Sequence, residues 1–87
     1  MTAAEKESWL RTVVTRISGN SADRTPLDED LEKAVGLDSL GRLEVLAEIE
    51  DEFDFFFEDN ELIAAFTLAE MLEAIEGKLE DLARARA

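Results

Sequence analysis

Apolar residues recur along this chain at three- and four-residue intervals, and no stretch shows the strict alternation of a half-buried strand. Leu68, Met71, Leu72, Ile75, Leu79 and Leu82 trace one face of a helix, and Leu10, Val13, Val14 and Ile17 trace another. A third stripe lies between Leu43 and Phe53. With only 87 residues, these faces have no partner but each other. The pattern predicts an all-α fold over residues 1–87 as a single domain: a small four-helix bundle of three main helices plus a short third one.

Capping chemistry sets the boundaries. Thr2 and Glu5 form a capping box that starts the first helix at Ala3, and Gly19 suits the left-handed residue that closes it after Ser18. Trp9 sits at the edge of the stripe, where partial burial is expected. Pro26 and the polar cluster Asn20, Ser21, Asp23 and Thr25 mark a loop as far as Asp38. Leu27, Leu31, Val35 and Leu37 are its expected anchors, and Asp28 to Ala34 has the makings of a helical turn. The acidic run Asp28, Glu29, Asp30 lacks the ligand alternation and glycine of a calcium loop and reads as a solvated charge run.

The second helix is predicted to start at Ser39, with Asp38 as N-cap accepting from the N–H of Leu40 or Gly41. At 100° per residue, Leu43, Val45, Leu46, Ile49 and Phe53 fall on the apolar arc. Glu44, Glu48, Asp51 and Glu52 fall opposite, and Leu40 points outward. Glu50 falls within the apolar arc and is expected at its edge, with its oxygens in water. Phe53, Phe55, Phe56 and Phe57 lie between helical patterns; they read first as core closure under a loop, and second as the lining of a site for an apolar ligand or partner. A short third helix is expected over Asn60 to Ala65, capped by Asp59, with Leu62 and Ile63 turned inward. Thr67 and Glu70 form a second capping box, with Phe66 and Met71 as its hydrophobic staple, and open the last helix. Gly77 weakens that helix by about 1 kcal/mol relative to alanine, and the tail from Ala83 to Ala87 is expected to fray.

Composition removes whole classes of function. Without cysteine or histidine there is no disulfide, no usual zinc site and no Cys-His or Ser-His catalytic pair. With 22 acidic residues against 9 basic ones, the net charge of −13 repels nucleic acid and anionic membrane and favours partners with basic docking patches. No apolar run is long enough to span a bilayer, and the N-terminus lacks a basic and apolar leader, so a cytoplasmic location is expected. Met1 just before the first helix leads us to expect a freestanding protein, with a domain of a larger synthase as the alternative.

Ser39 follows an aspartate and the chain offers it no histidine as base, so self-contained serine catalysis is not expected. A serine at the first position of a helix is instead well placed to carry a phosphate, because free N–H groups and the positive end of the helix dipole stabilise an anion there.

Gly36-Leu37-Asp38-Ser39-Leu40, set between a long anchored loop and an acidic helix that ends in Glu52-Phe53-Asp54, resembles the attachment motif of acyl carrier proteins and related peptidyl carriers. The resemblance covers nearly the whole chain. It implies an acyl-carrier-protein-like bundle that is not an enzyme but carries acyl intermediates as thioesters on 4′-phosphopantetheine. The arm comes from coenzyme A through a phosphopantetheinyl transferase. Ser39 is then the attachment site and Asp38 part of the transferase recognition motif. Leu40, Glu44, Val45, Glu48 and Asp51 fall where the family contacts partner enzymes: the transferase, an acyl-loading ligase or acyltransferase, and ketosynthase-type enzymes. A monomer without a metal is implied. Gly41 and Arg42 stand where fatty-acid carriers commonly have an acidic and a small polar residue, Phe57-Glu58 replaces isoleucine-proline, and Ala47 replaces a larger apolar residue. These differences fit a dedicated carrier of a specialised pathway at least as well as a housekeeping one. An aminoacyl or peptidyl carrier loaded by an adenylating ligase is the alternative within the family, and a small acidic interaction protein without a prosthetic group is the alternative outside it.

Overall fold

The computed structural model describes residues 1–86, the side chains of Leu62 and Ile63 excepted. Five helices follow in order: α1 (Ala3–Ser18), α2 (Leu31–Val35), α3 (Ser39–Phe53), α4 (Asp59–Ile63) and α5 (Leu68–Arg86). The described residues contain no strand. The three long helices are the predicted ones, and the helical turn foreseen between Asp28 and Ala34 is realised as α2. The predicted inward turn of Leu62 and Ile63 lies outside the described residues.

Helix α1 packs against both α3 and α5. Thr2 and Glu5 make the predicted capping box at its start, and Gly19, at φ 77°, closes it. The core is built from Leu10, Val13 and Val14 of α1, Val45, Leu46 and Ile49 of α3, and Leu68, Met71 and Ile75 of α5. Each set falls on one face at helical spacing, so mutual burial rather than propensity holds the helices together. Lys6 pairs with Glu76 across α1 and α5, and Arg16 with Glu48 across α1 and α3.

The segment between α1 and α3 is held mainly by hydrogen bonds to its backbone. Arg11 donates through Nη1 to the carbonyls of Ala22 and Thr25, both at 2.7 Å. Thr15 Oγ1 accepts from the N–H of Ala22, and the Asn20 amide donates to the carbonyl of Val35. Leu31, Val35 and Leu37 are buried as anchors, but Leu27 is not: its side chain is 38% exposed. Leu27 fastens the loop through its carbonyl, which accepts from the N–H of Ala69 at 2.9 Å. The N–H of Leu31 donates to the carbonyl of Phe66, giving a second tie to the start of α5.

Beyond α3, Asp54 takes the left-handed conformation at φ 56° and turns the chain. The next three phenylalanines are non-helical and alternate. Phe55 and Phe57 are buried, and Phe56 is 82% exposed. Trp9, Phe53, Phe55 and Phe57 form a continuous row of rings, with successive centroids 5.5, 6.2 and 5.0 Å apart. Core closure is therefore the role of most of this cluster. Glu50 corrects a second expectation: its Oε2 accepts from the N–H of Phe57 at 2.8 Å, satisfying a donor that the returning chain would otherwise bury.

The short helix also begins and ends differently from the prediction. It spans Asp59–Ile63 with Glu58, not Asp59, as N-cap. The N–H of Glu58 donates to Glu61 Oε1 at 2.7 Å, and the same oxygen accepts from Lys78 Nζ of α5 at 2.9 Å. At the start of α5, Thr67 Oγ1 accepts from the N–H of Glu70 as predicted, while Glu70 reaches back one residue further, to the N–H of Phe66. Helix α5 runs through Arg86, so the tail expected to fray is helical up to that residue. Arg84 lies near Glu80 and Asp81 one turn back, and basic side chains suit a helix C-terminus. Ala87, the last residue of the predicted fray, lies outside the described residues.

Candidate functional site

The stretch from Gly36 to Arg42 is positioned from both sides. Asp30 caps α2 by accepting from the N–H groups of Glu32 and Lys33, and Gly36, left-handed at φ 73°, ends that helix after five residues. Leu37 is then buried, and its N–H donates to the carbonyl of Leu31. This anchor fixes the approach to α3. Asp38 follows as the N-cap with extended backbone, its Oδ1 accepting from the N–H of Gly41 at 2.8 Å. Ser39 is the first residue of the helix and is exposed, as is Leu40 beside it.

Gly41 is fixed by sterics. A Cβ there would lie 2.9 Å from Leu37 Cδ1 and 3.2 Å from Asp38 Oδ1. The absent side chain lets the buried anchor and the capping carboxylate both lie against the first turn of α3.

A cleft of about 150 Å³ opens next to Ser39, between α2, the start of α3 and the approach to α5. Leu31, Leu37 and Phe66 give it apolar walls, Asp30, Glu32 and Asp38 give it carboxylates, and Arg42 adds a cation. The Arg42 guanidinium carbon stands 4.5 Å from the centre of the Phe66 ring, a cation–π contact. Phe66 is 46% exposed and acts as a shelf for Arg42. The sequence identifies Phe66 only as a staple and Arg42 only as a charge beside the motif. The two are 24 positions apart in the chain, and helical periodicity carries no information on such a pairing.

The remaining predicted site residues separate. Leu40 is 67% exposed, and Glu44 and Asp51 are exposed on the same helix. Glu48 is half-buried, with Arg16 at 3.4 Å. Val45 is corrected. It is fully buried in the centre of the core arc. Leu43, expected on the apolar arc, is 47% exposed and lies one turn from Leu40 instead. At the far end of α3, Ala47, Asp51, Asp54 and Phe56 border a shallow groove. Residues 55–57 are all phenylalanine, so their composition does not single out Phe56; only the extended backbone after Asp54 turns it opposite to Phe55 and Phe57.

No group of three carboxylates able to hold a metal ion occurs among the described residues. Among them, too, no helix is long and apolar enough to cross a membrane. Residues 8–75, most of the chain and all of this site, match the family model described as phosphopantetheine attachment site.

Proposed function

The chain belongs to the phosphopantetheine attachment-site family, and from that membership we propose that it is an acyl carrier protein whose Ser39 bears the arm. The family's domains are the attachment site of covalently bound 4′-phosphopantetheine, and its members are generally carriers rather than catalysts. In the proposed role the chain carries acyl groups between cytoplasmic enzymes of fatty-acid or polyketide-type synthesis.

The residues fit the group. Ser39 is exposed at the first helical position, and the first turn of α3 contains no acidic side chain. A phosphodiester at Ser39 Oγ would lie at the positive end of the helix dipole, beside first-turn N–H groups. Asp38 holds that turn in place through Gly41 and keeps its carboxylate on the backbone. When bound, the arm supplies a terminal thiol that holds the cargo as a thioester, a group that a chain without cysteine does not itself possess. Leu40, Glu44, Glu48 and Asp51 are the proposed contacts for the basic docking patches of the transferase, the loading enzyme and the condensing enzymes. Charge complementarity favours that assignment.

The observation that carries the reading is the exposed Ser39 directly after the capping Asp38, inside the matched span. Incubation with coenzyme A and a broad-specificity phosphopantetheinyl transferase should add one phosphopantetheine mass to the wild type and none to Ser39→Ala. No gain on the wild type, or equal gain on both, would overturn the assignment. Competition between ligases supplied with fatty acids or amino acids then distinguishes an acyl carrier from an aminoacyl one.

A further inference from the structure

Ser39 and Arg42 are three residues apart on α3, the spacing at which helical side chains are neighbours, and both line the 150 Å³ cleft. Arg42 is the one cationic side chain among the residues lining it, against the carboxylates of Asp30, Glu32 and Asp38. Two of those carboxylates are directed at backbone: Asp30 Oδ1 at the N–H groups of Glu32 and Lys33, Asp38 Oδ1 at that of Gly41. A phosphodiester on Ser39 would bring a further negative charge to this setting, in a chain already at −13. A guanidinium fixed on an aromatic ring is suited to receive it, because its planar fork matches phosphate oxygens and its orientation is set before the anion arrives.

We infer that Arg42, supported by Phe66, is a positioning residue for the phosphodiester of the arm. It would screen that charge from Asp30, Glu32 and Asp38 and hold the arm's first segment at the cleft, whose walls of Leu37 and Phe66 would offer it apolar surface. This inference rests on Ser39 as the attachment site. The arm of this carrier is therefore not free to swing from its first bond: its proximal part is held, and the cargo end alone ranges.

The test uses holo-protein whose loading is verified by intact mass, and reads the phosphorus NMR resonance of the diester with the same protein in urea as reference. The folded wild type should show a resonance displaced from the urea reference, and the displacement should shrink as salt is added. Arg42→Gln should lose most of that displacement. Arg42→Lys keeps the charge but not the fork or the ring contact, and should lose part, as should Phe66→Leu. A wild-type resonance coincident with the reference, or a fully loaded and folded Arg42→Gln with an unchanged resonance, overturns the inference. Should circular dichroism show Arg42→Gln unfolded, an unchanged resonance in Phe66→Leu overturns it equally. Absence of a mass gain on the wild type instead overturns the assignment of Ser39.

Discussion

Arg11 stands on the flank of α1 and satisfies two carbonyls of the following loop at once, with its Nε directed at Glu7 of its own helix. Ala22, whose carbonyl it binds, is fully buried, and Thr25 nearly so. Arg11→Ala removes the guanidinium donor from the Thr25 carbonyl and leaves the Ala22 carbonyl only the N–H of Thr25 at 3.3 Å, and a stability loss of about 1–3 kcal/mol is expected. Urea unfolding measures that loss, and amide exchange should quicken between Ala22 and Asp30. A loss below about 0.5 kcal/mol, the level of an ordinary surface substitution, would contradict the role. The periodicity that locates the apolar face of α1 carries no hint of this, since a sequence does not say which carbonyl a guanidinium will find. Val45 and Leu43 teach the converse. Helical spacing places both on the core arc, whereas family likeness places Val45 on the contact face, and the fully buried Val45 follows the spacing. For Leu43, at the margin of the arc, neighbouring elements decide, and they leave it 47% exposed.

Among the elements, the long helices are legible in the sequence because caps and stripes agree. Thr2 with Glu5, Asp38 with Gly41, and Thr67 with Glu70 all mark starts that the structure keeps. The short helix starts one residue earlier than its sequence suggests because its boundary depends on Glu61, which is shared between Glu58 and Lys78 of another helix. That junction has a pH signature. Partial burial acts to raise the Glu61 pKa, but the Glu58 N–H and the hydrogen bond and charge of Lys78 outweigh it and hold the carboxyl below its ordinary 4.5. The hydrogen bond to Glu61 correspondingly raises Lys78 above 10.5. The stabilisation from Glu61 is complete above its unfolded pKa and is lost as pH falls through the lowered folded value; that from Lys78 is complete below 10.5 and is lost as pH rises through the raised one. Glu61→Gln should therefore narrow its stability gap to the wild type at both extremes of pH and show a constant gap between them, as read from urea midpoints. The two helical glycines give a second contrast. A Cβ at Gly77 would meet nothing within 4 Å, and the position is exposed, so Gly77→Ala should gain about 1 kcal/mol and raise Tm by roughly 4–8 °C. Gly41→Ala should gain nothing, because its Cβ would displace Leu37 and Asp38.

At the scale of the whole molecule, a net charge of −13 on 87 residues sets a repulsive background that the few cross-helix ion pairs do not offset. Added sodium chloride should raise the melting temperature from its low-salt value, and slow association with any basic partner over the same range. A melting temperature that falls with salt would mean that the ion pairs outweigh the repulsion. The row of rings from Trp9 to Phe57 has a consequence of another kind. Trp9 is the chain's one indole, tyrosine is absent, and its ring lies edge-on to Phe53, where α1 meets the end of α3. Intrinsic fluorescence therefore comes from one known seam of the bundle, so an unlabelled carrier reports by its own emission whether a cargo has parted the rings or left them closed.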